Sequence, residues 1–278
     1  MRSYWKIFKM RALLLCSLLV YFPSLYGQPE ESVDLTPHQL PRVENKAFQV
    51  GEYLKYRIHY GIINAGVAEL RVEELTTRND RRVYHMVGTG RSVGMAEWFF
   101  RTRDRYETYM DKESLLPWEF IRDVDEGGYI IKRHLHFDHY NNRVTETITD
   151  PDRTYPILQY AQDMLSAFYY ARSTASDNLK PGDYLPVDMF LDYEDFSFRL
   201  KFIGYEKIKT RWGKVRCKKL IPVVQEGRVF SDKEGLTLWV TDDQNKVPVR
   251  LEAELVVGSI KMDLTEYKNL VRPVSFQD

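Results

Sequence analysis

The stretch VGEYLKYRIHYGIINAGVAELRVEEL, residues 50–75, decides the fold. In its first half Tyr53, Lys55, Arg57 and His59 alternate with Leu54, Tyr56, Ile58 and Tyr60. In its second half Val67, Glu69, Arg71 and Glu73 alternate with Ala68, Leu70, Val72 and Glu74. A period of two sends successive side chains to opposite faces of a pleated strand, so each half reads as β. Between them Asn64 and Gly66 tolerate the left-handed backbone that most residues avoid. The stretch therefore reads as an antiparallel hairpin with its loop around Asn64-Ala65-Gly66. A glycine loop that cradles a phosphate needs a helix behind it, and none is patterned here.

Outward from this hairpin the same period recurs. Strands are expected over 82–93, 101–110, 118–125, 129–138 and 144–149, with turn residues Asn79-Asp80, Pro117, Gly127-Gly128 and Asn141-Asn142 between them. The period then changes. In ILQYAQDMLSAFYYAR, residues 157–172, Ile157, Ala161, Met164, Phe168 and Ala171 share one stripe, which predicts a helix. Strands resume over 184–191, 196–205, 215–224, 236–241, 247–257 and 259–267, with turns at Lys180-Pro181-Gly182-Asp183 and Arg211-Trp212-Gly213-Lys214. About a dozen strands without strand–helix alternation exclude a doubly wound α/β fold. A mainly β protein is expected: a long antiparallel meander, curled into a strongly curved sheet or open barrel, with one main covering helix.

The N-terminus carries Arg2, Lys6, Lys9 and Arg11, then the apolar run ALLLCSLLVYF, then Pro23 and Gly27. That order is the layout of a secretory leader, and the run is short for a membrane span. Residues 1–27 are read as a signal peptide cleaved near Gly27, in preference to lipid attachment at Cys16. Residues 28–47, rich in proline and charge, read as a flexible arm, 48–270 as a single β-rich domain and 271–278 as a tail.

The 278 residues carry 40 Lys+Arg and 40 Asp+Glu; four of the basic and none of the acidic ones lie in the leader, so the remainder bears four net negative charges. That balance argues against nucleic acid as a partner. After processing Cys217 is alone, so no intrachain disulfide holds the fold, and no transmembrane span is expected.

Three segments together resemble a known family: VGEYLKYRIHYGIINAGVAEL from Val50, DMLSAFYYAR from Asp163, and LTLWVTDDQNKVPVRLEAELVVGSIKMDLTEY from Leu236. In that order they are similar to the exported bacterial domain of unknown function 3108, across most of residues 48–270. The resemblance implies a β-rich protein of the cell envelope and offers no catalytic residues or cofactor to carry over.

Several motifs invite chemistry. GRSVG, residues 90–94, spells the Gly-x-Ser-x-Gly pattern around a nucleophilic serine, which makes Ser92 a catalytic candidate. Its surroundings lack the parallel-sheet pattern of that enzyme class, and a glycine-rich strand end explains the same letters. In HLHFDH, His134, His136 and Asp138 fall on one strand face and could converge on a metal ion. Opposite them Leu135 and Phe137 form an apolar face, so the reading adopted is a polar strand surface without a metal. Trp98, Phe99, Phe168 and Tyr169 are candidates for an apolar ligand cavity, and Arg101 and Arg103 for an anionic group on that ligand.

These readings point to an exported, non-enzymatic protein. It binds an apolar, lipid-like or glycan ligand, or an envelope protein, on a curved sheet, and no cofactor is expected. A hydrolase built on Ser92 or on His134 and His136, and a scaffold for envelope assembly, are the rival readings.

Overall fold

The computed structural model describes residues 40–224 and 235–276. The leader, Cys16, the cleavage point near Gly27 and the greater part of the arm lie outside the described residues, as does the end of the tail.

The opening stretch forms strands β1 (Tyr53–Tyr60) and β2 (Ile63–Arg78). Tyr60 pairs with Ile63, so the turn is Gly61-Ile62, with Gly61 at φ +53°. The expected loop residues instead lie inside β2. Ile58 faces Gly66 and His59 faces Asn64, which leaves Ala65 as the extra residue of a bulge. Gly66 is required there for proximity: a Cβ at this position would stand 3.0 Å from the carbonyl oxygen of Arg91 on the next strand.

The chain continues through β3 (Arg81–Ser92), the short helix α1 (Met95–Phe99), β4 (Thr102–Asp111), β5 (Pro117–Glu126), β6 (Tyr129–Asp138), β7 (Arg143–Glu146) and β8 (Thr154–Pro156). Helix α2 (Met164–Thr174) follows, then β9 (Tyr184–Leu191), β10 (Glu194–Thr210), β11 (Gly213–Val224), β12 (Leu236–Thr241), β13 (Pro248–Glu254) and β14 (Ser259–Lys268). Among the described residues the fourteen strands form one antiparallel sheet in which every strand pairs with its sequence neighbour, except that β14 pairs with β1 while β8 and β9 remain the two edges. So many strands cannot stay flat once each is twisted against the next, and the sheet curves without closing.

Helix α2 enters where the meander is interrupted. The apolar stripe predicted helix from 157, yet helix begins only at Met164. The backbone of Gln162 is engaged elsewhere: its N–H donates to Asp188 and its carbonyl accepts from Phe190, both at 2.8 Å, on edge strand β9. Asp163 then starts the helix as its cap, accepting the N–H groups of Leu165 (2.7 Å) and Ser166 (2.8 Å), while Ser166 Oγ accepts the N–H of Asp163.

Leu165 and Tyr169 of α2 pack with Phe48, Tyr84, Met86, Met110, Phe120 and Phe137 into the main core, beneath β3–β6. A second core joins Leu54 and Tyr56 of β1 to Val215, Cys217, Trp239 and Leu264. Cys217 is a buried free thiol, and burial pushes its pKa up to about 12. Parts of the expected arm and tail belong to this packing. The N–H of Val43 donates to the carbonyl of Glu113, Ala47 is buried, and Phe276 stacks near Tyr267. Among the described residues no helix is long and apolar enough to cross a membrane.

Candidate functional site

Strands β9 to β13 place apolar residues at alternate positions of one face. Leu185, Val187 and Met189 lie on β9, Phe198 and Leu200 on β10, Leu220 and Pro222 on β11, Leu236, Leu238 and Val240 on β12, and Leu251 on β13. The register lines them up across the strands: Leu185 faces Leu200, Leu200 faces Pro222, Leu220 faces Leu238, and Leu238 faces Leu251. Above them α2 presents Met164, Ala167, Phe168 and Ala171. Alanines reach too short a distance to fill the gap, and a cleft of about 250 Å³ remains. An apolar cavity of ~150 Å³ already stays dry and takes up benzene, so this one has room for an alkyl chain. Leu185, Phe198, Leu236, Leu238 and Leu251 are only half-buried, which marks this as the incompletely covered part of the sheet.

Cationic side chains stand in the wall. Lys218 is only 2% exposed, and its Nζ lies 3.4 Å from Asp242 Oδ1 and 3.5 Å from the carbonyl of Ser176. Asp242 is shared, because Arg216 Nε reaches its other oxygen at 3.1 Å. Lys246 Nζ is 2.9 Å from Asp177, whose carboxyl this contact holds below the usual range. Arg172 also borders the cleft but is saturated. Glu52 takes two of its nitrogens at 2.6 and 2.9 Å, and the carbonyls of Ala47 and Asn245 take further bonds. Asp242 and Asp177 thus balance the charges of Lys218 and Lys246, the two lysines that line the cleft. Among the described residues the cleft is lined by no serine, cysteine, histidine or carboxylate. The lining is apolar along its length and cationic at Lys218 and Lys246.

Of the residues singled out from sequence, Phe168 lines this cleft. Tyr169, one position on, points the other way into the main core against Phe48, with ring centroids 4.9 Å apart. Trp98 is 93% exposed and Phe99 is also exposed, both on α1. Arg101 is exposed beside them, and Arg103 pairs with Glu97. Ser92 is buried at the end of β3, where its Oγ accepts the N–H of Thr102 at 3.0 Å. His134 and His136 do meet, with ring centroids 4.3 Å apart, but their acidic neighbour is Glu119 of β5. Asp138 is turned away to Asn141 (2.7 Å) and Arg143 (3.0 Å).

Lys218 and Lys246 and the leucine-rich face of β9–β13 were not singled out from the sequence. The alternation of Lys218, Leu220 and Pro222, and of Leu236, Leu238 and Val240, carried the signal. Reading it required knowing which face lay beneath the helix.

A family model described as "Protein of unknown function (DUF3108)" matches residues 55–265. No curated protein matches the sequence. Among solved structures, the fold is similar to a β-barrel-like protein of domain of unknown function DUF1849 from Brucella abortus. The TM-score is 0.51 at 9% identity, with 80% of this chain and 99% of that one covered. A DUF1089 family protein from Pseudomonas aeruginosa aligns over 66% of this chain and 88% of its own, at 11% identity and a TM-score of 0.41.

Proposed function

The chain belongs to the family of proteins of unknown function DUF3108, and from that premise we propose that it is an exported, non-enzymatic binder of a lipid-like amphiphile. The observation that carries this reading is the cleft beneath α2. It is apolar along its length, with Lys218 and Lys246 in its wall. An alkyl chain gains roughly 0.8 kcal/mol for each methylene it withdraws from water, and a glycan gains nothing comparable from leucine and valine walls. Lys218 and Lys246, the lysines of the wall, favour an acidic head, a carboxylate or phosphate. Export is supported by the basic and apolar leader.

The experiment uses the processed chain with palmitic acid and with the uncharged hexadecanol, read by displacement of a fluorescent fatty acid. Ala171→Trp, which fills the cleft, should abolish binding of both. Lys218→Met should weaken the acid about tenfold and leave the alcohol unchanged, since a buried charge pair contributes only to the charged ligand. Failure of the wild-type chain to bind either compound, or full binding by Ala171→Trp, overturns the reading.

One observation favours a second reading, a scaffold for an envelope partner. Ile62 in the β1–β2 turn, Trp98 on α1, Ile130 after the β5–β6 turn and Val256 and Val257 between β13 and β14 are all exposed at the same end of the sheet.

A further inference from the structure

We propose that Glu119, His134 and His136 form a zinc site on the outer face of the sheet, separate from the cleft. The argument begins with strand geometry. His134 and His136 are two residues apart on β6, so both project from the same face. Glu119 of β5 is the antiparallel partner of His136, which places its carboxylate beside both rings. One ligand atom from each of the three residues lies within 4.8 Å of the other two. An ion at the centre needs about 2.0–2.2 Å to each nitrogen and oxygen, a separation that small side-chain rotations supply. Among the described residues this is the one group of three or more His, Cys, Asp or Glu side chains so placed.

The surroundings suit the ion. His134 Nε2 and Glu119 Oε2 are 3.2 Å apart and share a hydrogen bond, so zinc would replace the proton between them. The other oxygen of Glu119 is held by Arg78 Nε at 3.2 Å, which orients the carboxylate and leaves Oε2 to the metal. That guanidinium charge also weakens cation binding, which places the expected affinity in the micromolar range rather than that of a closed structural site. All three residues are half-buried, so the ion can enter and a fourth position stays open to water or to a partner's side chain. Two imidazoles and one carboxylate suit zinc, whereas calcium and magnesium prefer all-oxygen sites.

The test is titration of the untagged, processed chain with Zn²⁺ by calorimetry, and with Co²⁺ by its visible absorption. About one equivalent should bind, with the intense visible bands of a four-coordinate cobalt ion. His134→Ala and Glu119→Gln should each weaken binding about tenfold or more. His136→Gln, which keeps size and polarity, repeats the test with the least risk to folding. Melting curves without metal verify that each variant is folded. Zinc binding should also leave palmitate binding unchanged, so a failure of this site is read independently of the cleft. The proposal is overturned if the wild type binds no zinc, or if the three folded variants bind it as the wild type does.

Discussion

A single buried side chain can make a β protein sensitive to acid, and His139 is placed to do so. Its Nε2–H donates to the carbonyl of Pro117 at 2.7 Å, and the ring packs between Trp118 and Phe137. Burial lowers its pKa to about 4, because a charged imidazolium there would lose its water. As pH falls below about 6.5 the unfolded chain takes up a proton that the folded chain still refuses. The stability contributed by neutral His139 is therefore present above that value and lost as pH falls toward 4. Up to about 3 kcal/mol is at stake. Asp104 and Asp163 work in the opposite direction, since burial raises their carboxyl pKa values to about 7 and about 6. The wild type alone thus gives a mixed profile. Urea unfolding of wild type and His139→Gln at pH 7 and pH 4.5 isolates the histidine. The variant's deficit should shrink at the lower pH, and an equal deficit at both would refute the assignment.

At the scale of one element, helix α2 is fastened at both ends. Asp163 caps its start, and Arg172 in its last turn is buried against buried Glu52, just before β1. Neither charge is near water, so each depends on the other for its solvation. Arg172→Met should cost about 3–5 kcal/mol, because Glu52 is left charged and unpaired. The double variant with Glu52→Leu should recover much of that loss, since the desolvation penalty goes with both charges. Chemical denaturation of the three proteins measures the recovery. A double variant less stable than Arg172→Met would show that the pair is strongly stabilising in itself. The same helix explains why the apolar stripe over 157–172 misled at its start: Ile157 and Ala161 are buried as predicted, but they flank a turn in which the Ala161 N–H donates to the carbonyl of Leu158. A buried stripe reports burial, and the backbone pairing of Gln162 with β9 decided the conformation.

At the scale of the molecule, the unpaired edges β8 and β9 are joined by side chains. The β9–β10 turn carries Asp192, which pairs with Arg122 Nη1 at 3.0 Å and with Arg133. Next to it Tyr193 stacks on Tyr155 of β8, centroids 4.8 Å apart, and its hydroxyl donates to Glu146 of β7. These contacts join the β9–β10 turn to β5–β8 across the open seam of the sheet. Asp192→Ala should cost about 2 kcal/mol, less than a fully buried pair because Asp192 is partly in water. Its distinctive effect should be local. Amide exchange at Gln162 and Phe190, whose backbone bonds bridge the seam, should accelerate more than exchange in β3 and β4. Uniform acceleration across the sheet would mean the seam has no independent role.

Much of this was legible in the residues before any fold was known. The two-residue period of 50–75 and its repeats identified an antiparallel meander, because a strand with unlike faces must alternate. The stripe around Met164 and Phe168 identified one covering helix, and the leader predicted export. Tertiary structure alone decided the rest. Asn64 and Gly66 suit a bulge as well as a turn, and only the register with β1 chose the bulge. Phe168 and Tyr169 are adjacent aromatics, and only the position of α2 between core and cleft sent them to different places. Glu119 replaced Asp138 beside the histidines because strand pairing brings together residues distant in sequence. Alternation shows that a strand has two faces, but which face another element leaves uncovered depends on packing, and the cleft exists only at that level.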